Sequence, residues 1–261
     1  MKRALTLFAI ALMFVHGWAH AQEKLTIGSK KFTESVVLGE IAAHLIGQSG
    51  TKPTHRRELG GTRVLWEALL KGDIDLYPEY TGTITGEIMK GKGLKTEADI
   101  RQALAKLGIL MTRPLGFNNT YAIGMKEEVA EKYNIRNISD LARHPGLKLR
   151  FGNEFMDRGD GWLALRSRYG LSNGNARGLD HDLAYRGLES GDVGAMDVYS
   201  TDAEIAYYGL RVLKDDLSHF PVYNSVILYR ADLAKRAPAA VVAITPKTEE
   251  REGWGSSFWK Y

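Results

Sequence analysis

The sequence contains no cysteine. This excludes disulfides, thiolate metal sites and a lipid anchor on cysteine, so an exported form of the chain would depend on its core alone and diffuse freely. No nucleophile elbow, phosphate loop, dinucleotide fingerprint or HExxH pattern is present, which leaves enzymatic readings without a scaffold. The net charge is +4, and Lys2 and Arg3 supply half of it. The rest of the chain has no basic stripe of the kind a nucleic-acid partner requires. Long apolar runs are missing too. The run at 4–15 is too short to span a membrane, and it sits between Lys2-Arg3 and the small-x-small site Ala19-His20-Ala21. That order reads as a secretory signal over residues 1–21, with the mature chain beginning at Gln22 and a periplasmic location the best fit.

What is there suits a globular α/β protein: 261 residues, 44% hydrophobic and 25% charged, with 28 glycines. That length allows one large domain or two modest ones. The chain is organised around GDIDLYPEYTGT at 72–83. Val64, Leu65, Ala68 and Leu69 suggest a helix closed by a left-handed Gly72, and a strand over 73–77 stopped by Pro78 is expected next. A new helix then starts at 81–83, which leaves Tyr80 at a strand-to-helix junction. In open α/β sheets such junctions hold ligands. The pattern recurs at 191–200 as GDVGAMDVYS, again a Gly-Asp, a strand and a tyrosine followed by a hydroxyl residue. Two similar lobes, each presenting a tyrosine to a shared cleft, are the simplest geometry.

Elsewhere a strand at 25–28 leads through Ser29-Lys30-Lys31-Phe32 into a helix, so Lys30 or Lys31 stands at a similar junction. Strands are expected at 51–59, 109–112, 121–125, 148–151 and 222–229. Helices are expected at 98–107, 126–133, 162–169, 182–190, 201–208 and 231–240, with Ser139 as an N-cap. Strand-helix alternation argues for a parallel sheet covered on both faces. The loop at 152–161 places Arg158 before a helix, where its planar fork could meet a carboxylate. Its plain alternative is a surface arginine paired with Asp157 or Asp160. Asp73, Asp75 and Glu79 could form a hard-metal site, and His181 lies beside Asp180 and Asp182; solvated acids and a loop histidine account for these equally well. The remaining junction residues are Tyr80, Tyr121, Tyr199 and Tyr223, with Lys30, Thr83 and Arg158. Tyrosine faces attract a cation too alkylated to hydrogen-bond.

On GSKKFTE at 28–34, the 72–83 stretch, 116–122, 154–161 and 197–202, the chain resembles the glycine betaine, choline and carnitine substrate-binding proteins of quaternary-amine ABC importers. The likeness runs over about 25–240. It implies a two-lobed periplasmic binding protein fold, type II-like, with a mixed sheet in each lobe. Lobe one would take 22–115 and the return segment 221–240, and lobe two 116–220. The resemblance places a tyrosine cage on Tyr80, Tyr121, Tyr199 and Tyr223, carboxylate contacts on Lys30, Thr83 and Arg158, and a polar contact on Asn119. It also implies capture by lobe closure and delivery to inner-membrane permease subunits with a cytoplasmic ATPase. A monomer without cofactor, catalysis or nucleic-acid partner is expected. The tail at 241–261 departs from the pattern, being polar and then aromatic at Trp254, Phe258, Trp259 and Tyr261. A truncated or altered C-terminus and marginal stability are the corresponding expectations. The rival readings are a protein for choline, carnitine or another cationic solute, and a periplasmic enzyme using Asp73/Asp75 or His181.

Overall fold

The computed structural model describes residues 24–245, so the expected signal segment and most of the aromatic tail lie outside the described residues. One sheet joins β1 (Leu25–Gly28), β2 (Pro53–Arg56), β3 (Leu76–Tyr80), β4 (Ile109–Met111) and β10 (Ser225–Arg230), in the order β2-β1-β3-β10-β4. A second contains β5 (Tyr121–Lys126), β8 (Met196–Tyr199) and β9 (Leu210–Leu213), ordered β8-β5-β9. A parallel pair, β6 (Arg150–Gly152) and β7 (Arg177–Leu179), abuts it through the Leu149–Ala195 bridge. The second lobe therefore reads β7-β6-β8-β5-β9, the order of the first with each strand replaced by its counterpart. Two lobes of this kind make the expected two-lobed α/β fold.

The repeated motif is visible in both. The helix Thr62–Lys71 buries Thr62, Leu65 and Leu69 and ends on Gly72 at φ 81°. A second helix, His181–Ser190, buries Ala184, Tyr185 and Leu188 and ends on Gly191, also at φ 81°. Both glycines hold a left-handed conformation that a side chain disfavours. Each helix then delivers the strand, β3 or β8, whose last residue is the motif tyrosine.

The parallel-sheet expectation needs correction, because the sheets are mixed. β10 runs antiparallel to β3 and β4, and β5 antiparallel to β8 and β9. Pro78 does not stop β3; it lies inside the strand opposite Ile227. Ile227 exchanges its backbone hydrogen bonds with Thr112 on the other side, so the Pro78 nitrogen faces away from β10, where no ladder donor is needed. The strand expected at 73–77 accordingly begins at Leu76, and that expected at 222–229 begins at Ser225, leaving Tyr223 just before it. The 152–161 loop contains a short helix, Asn153–Asp157. The cap near 139 is Asn137, which forms a capping box with Asp140. β7 and β9, short and weakly alternating, were not anticipated. The helical pattern at 231–240 divides into Leu233–Arg236 and Pro238–Ile244, the latter running past Ala240.

Candidate functional site

Each lobe contributes tyrosines to one recess because each motif strand ends at the same edge. Tyr80 closes β3 and stands at the N-terminus of the next helix. Tyr199 closes β8 and lies opposite Tyr121, the first residue of β5. Tyr223 is positioned by its backbone N–H, which donates to Asn118 Oδ1 at 2.7 Å. Ring centroids lie 5.0 Å apart for Tyr121 and Tyr199, and 5.7 Å apart, edge to face, for Tyr121 and Tyr223. Phe32 completes the circle, 5.0 Å from Tyr199 and 6.3 Å from Tyr80. Burial is the main cause that pushes all four phenols well above their ordinary range, so they remain neutral.

Lys30, Phe32, Tyr80, Thr83, Tyr121, Glu154, Arg158, Tyr199 and Tyr223 line this recess. Seven of the eight residues expected from the sequence are thus brought together. Asn119 is buried beside them but does not line it; its Nδ2 donates to Glu34 Oε1 at 2.8 Å. Between the two candidate lysines the structure decides clearly. Lys30 is 3% exposed, while the Lys31 side chain is 63% exposed and pairs with Asp180.

The cationic end is more heavily engaged than the sequence suggested. Lys30 Nζ donates to Glu79 Oε1 at 2.6 Å and to Thr62 Oγ1 at 2.9 Å. Burial raises the Glu79 carboxyl above its usual range against the opposing pull of Lys30. Arg158 grips Asp160 with Nε and Nη2 at 2.8 and 2.7 Å, donates from Nη1 to Thr83 Oγ1 at 3.2 Å, and lies 5.1 Å from the Tyr121 ring centroid. Asp160 is the partner in the plain alternative, yet the arginine is buried, not on the surface. Glu154 sits between the two cations. It accepts from the Thr62 hydroxyl and stands 3.8 Å from Arg158 Nη1. Burial opposes its charge, but Lys30 and Arg158 outweigh that and hold its carboxyl below the usual range.

Sequence reasoning missed Phe32, Glu34, Thr62 and Glu154. Phe32, Glu34 and Glu154 lay within the sequence motifs, but no periodicity marks a ring or an acid that will face the recess from across it. Glu34 accepts from Tyr80 Oη at 2.5 Å and also from Asn119 and Thr201, joining the two lobes. Asp73 and Asp75 do not form a pair. Asp73 is exposed, while Asp75 is buried at the far end of β3, where it accepts from Thr26 N and Arg236. Among the described residues no group of histidine and carboxylate side chains is arranged to hold a metal.

A recess between two lobes, walled by aromatic rings from both, is an arrangement suited to a solute-binding protein. The chain belongs to the family of substrate-binding domains of ABC-type glycine betaine transport systems, whose model matches residues 23–250. It is therefore the substrate-binding component of such a transporter, a class that works with permease subunits. It is 34% identical over 241 residues to an ergothioneine transport permease/ergothioneine binding protein of Helicobacter pylori, covering 90% of this chain and 43% of that protein. It is 35% identical over 257 residues to a glycine-betaine-binding protein of Pseudomonas aeruginosa, covering 92% of this chain and 82% of the relative. A crystal structure described as a glycine betaine/carnitine/choline ABC transporter superposes with a TM-score of 0.66 at 30% identity, covering 84% of this chain and 85% of its own. Among the described residues no helix is long and apolar enough to cross a membrane.

Proposed function

We propose that this chain captures glycine betaine in the recess between its lobes and delivers it to inner-membrane permease subunits driven by a cytoplasmic ATPase, for osmoprotective uptake. It acts in the periplasm as a monomer, after removal of residues 1–21, and makes or breaks no bond. The moving units are 22–115 with 221–240, and 116–220. The observation that carries this reading is the convergence of Tyr80, Tyr121, Tyr199 and Tyr223 from both lobes on one recess that also holds Lys30, Thr83 and Arg158. Each ring face contributes roughly 0.5–2 kcal/mol to holding a quaternary ammonium, so four supply much of the approximately 8 kcal/mol behind a micromolar dissociation constant. The ligand carboxylate takes the end lined by Lys30, Thr83 and Arg158, and Asn119 supports the cage through Glu34.

A second reading rests on the same end of the recess. Lys30 already holds Glu79, Arg158 already holds Asp160, and Glu154 lies between them. Carboxylates supplied by the chain favour a cation without a carboxylate of its own, such as choline. Calorimetric titration with glycine betaine, choline and carnitine decides between them. Saturable binding of glycine betaine, lost in Tyr80→Ala and Tyr199→Ala, is the expected result. Choline binding more tightly by tenfold or more would transfer the assignment, and absence of binding by a cooperatively melting chain would end both.

A further inference from the structure

Outside the lining of the recess, His181 lies against the Tyr199 ring, with centroids 4.7 Å apart and planes tilted by 36°. Its Nε2 is 3.2 Å from Asp202 Oδ2, and its Nδ1 is 3.7 Å from Asp197 Oδ2. Nδ1 and Asp197 Oδ2 are both buried and have no hydrogen-bond partner. A neutral imidazole has one donor, so it would turn a lone pair toward one of these carboxylates; an imidazolium donates toward both. The geometry is that of a charged ring between two acids. Asp202 Oδ2 also accepts from Tyr199 N at 2.9 Å and from Tyr185 Oη at 2.6 Å, while Asp197 Oδ1 accepts from Gly152 N at 2.6 Å. One carboxylate thus anchors both the backbone of a recess tyrosine and the imidazole that backs its ring.

Building on the cage reading above, we propose that His181 is a positioning residue for Tyr199, and that a quaternary ammonium held on the recess side of that ring displaces the His181 proton, coupling capture to proton release. The reason is that two cations would share one aromatic ring. Separated by the ring, they lie on the order of 9 Å apart, and at an effective dielectric near 20 their repulsion weakens binding by about twentyfold. The other groups facing His181 are acidic or neutral: Asp180 and Asp182 at the start of its own helix, Tyr185 one turn on with its ring edge-on at 5.3 Å, Asp197 and Tyr199 of β8, and Asp202 beyond it. Lys31, the nearby cation from the other lobe, is engaged with Asp180. Burial opposes the charge on His181, but the hydrogen bond to Asp202 and the charges of Asp197, Asp202 and Asp182 outweigh it and hold the ring above the ordinary imidazole range. Both neighbouring carboxylates thus favour the protonated ring in the free protein, and a bound cation lowers the affinity for that proton. By reciprocity, ligand affinity rises as pH rises through the His181 range.

The test is calorimetric titration of the full chain with glycine betaine and with choline from pH 5.5 to 9, in buffers of different ionisation enthalpy, for the parent and for His181→Gln. The glutamine keeps a donor for Asp202 and cannot carry charge. The expected result is a tightening of up to about twentyfold between pH 6 and 8.5 in the parent, with net proton release on binding, and a flat profile without release in His181→Gln. His219, which contacts Asp160 O at 3.0 Å, also lies close to a recess partner, so His219→Gln must keep the parent's profile. Binding by the parent that is independent of pH, or a slope surviving in His181→Gln, overturns the proposal and leaves the cage intact. If neither ligand binds the parent at any pH, the cage reading falls and takes this one with it. Should His181→Gln not fold, proton release by the parent and by His219→Gln decides the matter.

Discussion

Glu79 illustrates how few side chains set the cationic end of the recess. It is fully buried and accepts from Lys30 Nζ, from Tyr80 N at 2.9 Å and from Tyr77 Oη at 3.2 Å. Removing one member of a buried pair leaves the other uncompensated, which costs roughly 3–5 kcal/mol. Glu79→Ala is accordingly expected to lower unfolding free energy by about that amount in chemical denaturation. Arg158 and the half-buried Asp160 form a second pair, linked to the ring of tyrosines because Tyr223 Oη donates to Asp160 Oδ2 at 3.2 Å. Tyr121→Leu keeps most of the buried bulk and removes one π face; calorimetry should register about 0.5–2 kcal/mol of lost affinity with little change in melting temperature. At this scale the tyrosines were legible, because each ends or begins an element whose pattern the sequence displays. Phe32, Glu34 and Glu154 were not, since a residue inside a motif says nothing of what it will face across a cleft.

The element that shapes the recess is the turn from β3 into the Thr81–Thr83 helix. Gly82 has no side chain for a packing reason: a Cβ there would stand 2.5 Å from Tyr223 Cδ1. Gly82→Ala should therefore displace the Tyr223 ring and weaken glycine betaine binding by roughly the worth of one ring, about 0.5–2 kcal/mol. Far-ultraviolet dichroism of the variant should match the parent, and undiminished affinity would show that Tyr223 is not part of the cage. The helix-glycine-strand pattern that builds this turn was readable twice over, and the left-handed Gly72 with it. Its neighbours were less so. β10 is recruited from 114 residues beyond Met111 in the chain, and nothing local to Ser225–Arg230 states that it will run antiparallel between β3 and β4.

At the scale of the molecule, contacts across the recess join the two lobes: Thr62 with Glu154, Thr83 with Arg158, Glu34 with Thr201, and Gly159 N with Glu87 Oε2 at 3.1 Å. A ligand that binds only where the lobes meet selects the arrangement in which these contacts form. Thr201→Val removes the donor to Glu34 at little cost in volume, and small-angle scattering should then show a smaller ligand-induced compaction than in the parent. Acid should destabilise the whole. Glu154, Asp140, Asp215, Asp180, Asp232, Glu40 and Asp99 are held below the usual carboxyl range, so each contributes stability that is present above about pH 4 and lost as pH falls through its lowered value. Glu79 and Asp197 are raised by burial and act in the opposite sense, their contribution present below about pH 4 and lost as pH rises. The lowered set is the larger, and the melting temperature is expected to fall from pH 5 to pH 3; a calorimetric melting curve that is flat or rising over that range would contradict this balance.

Local chemistry alone determined the α/β alternation, the doubled motif and the tyrosines at its junctions, because helix caps, apolar spacing and glycine conformation act between residues near in the chain. Tertiary structure alone decided three things: that Lys30 meets Glu79, that Glu34 spans both lobes, and that His181 backs Tyr199. These pairings join residues 49, 167 and 18 positions apart, taking Thr201 as the far partner of Glu34. Burial and charge at such contacts depend on which surfaces the two sheets bring together, and no sequence period carries that information.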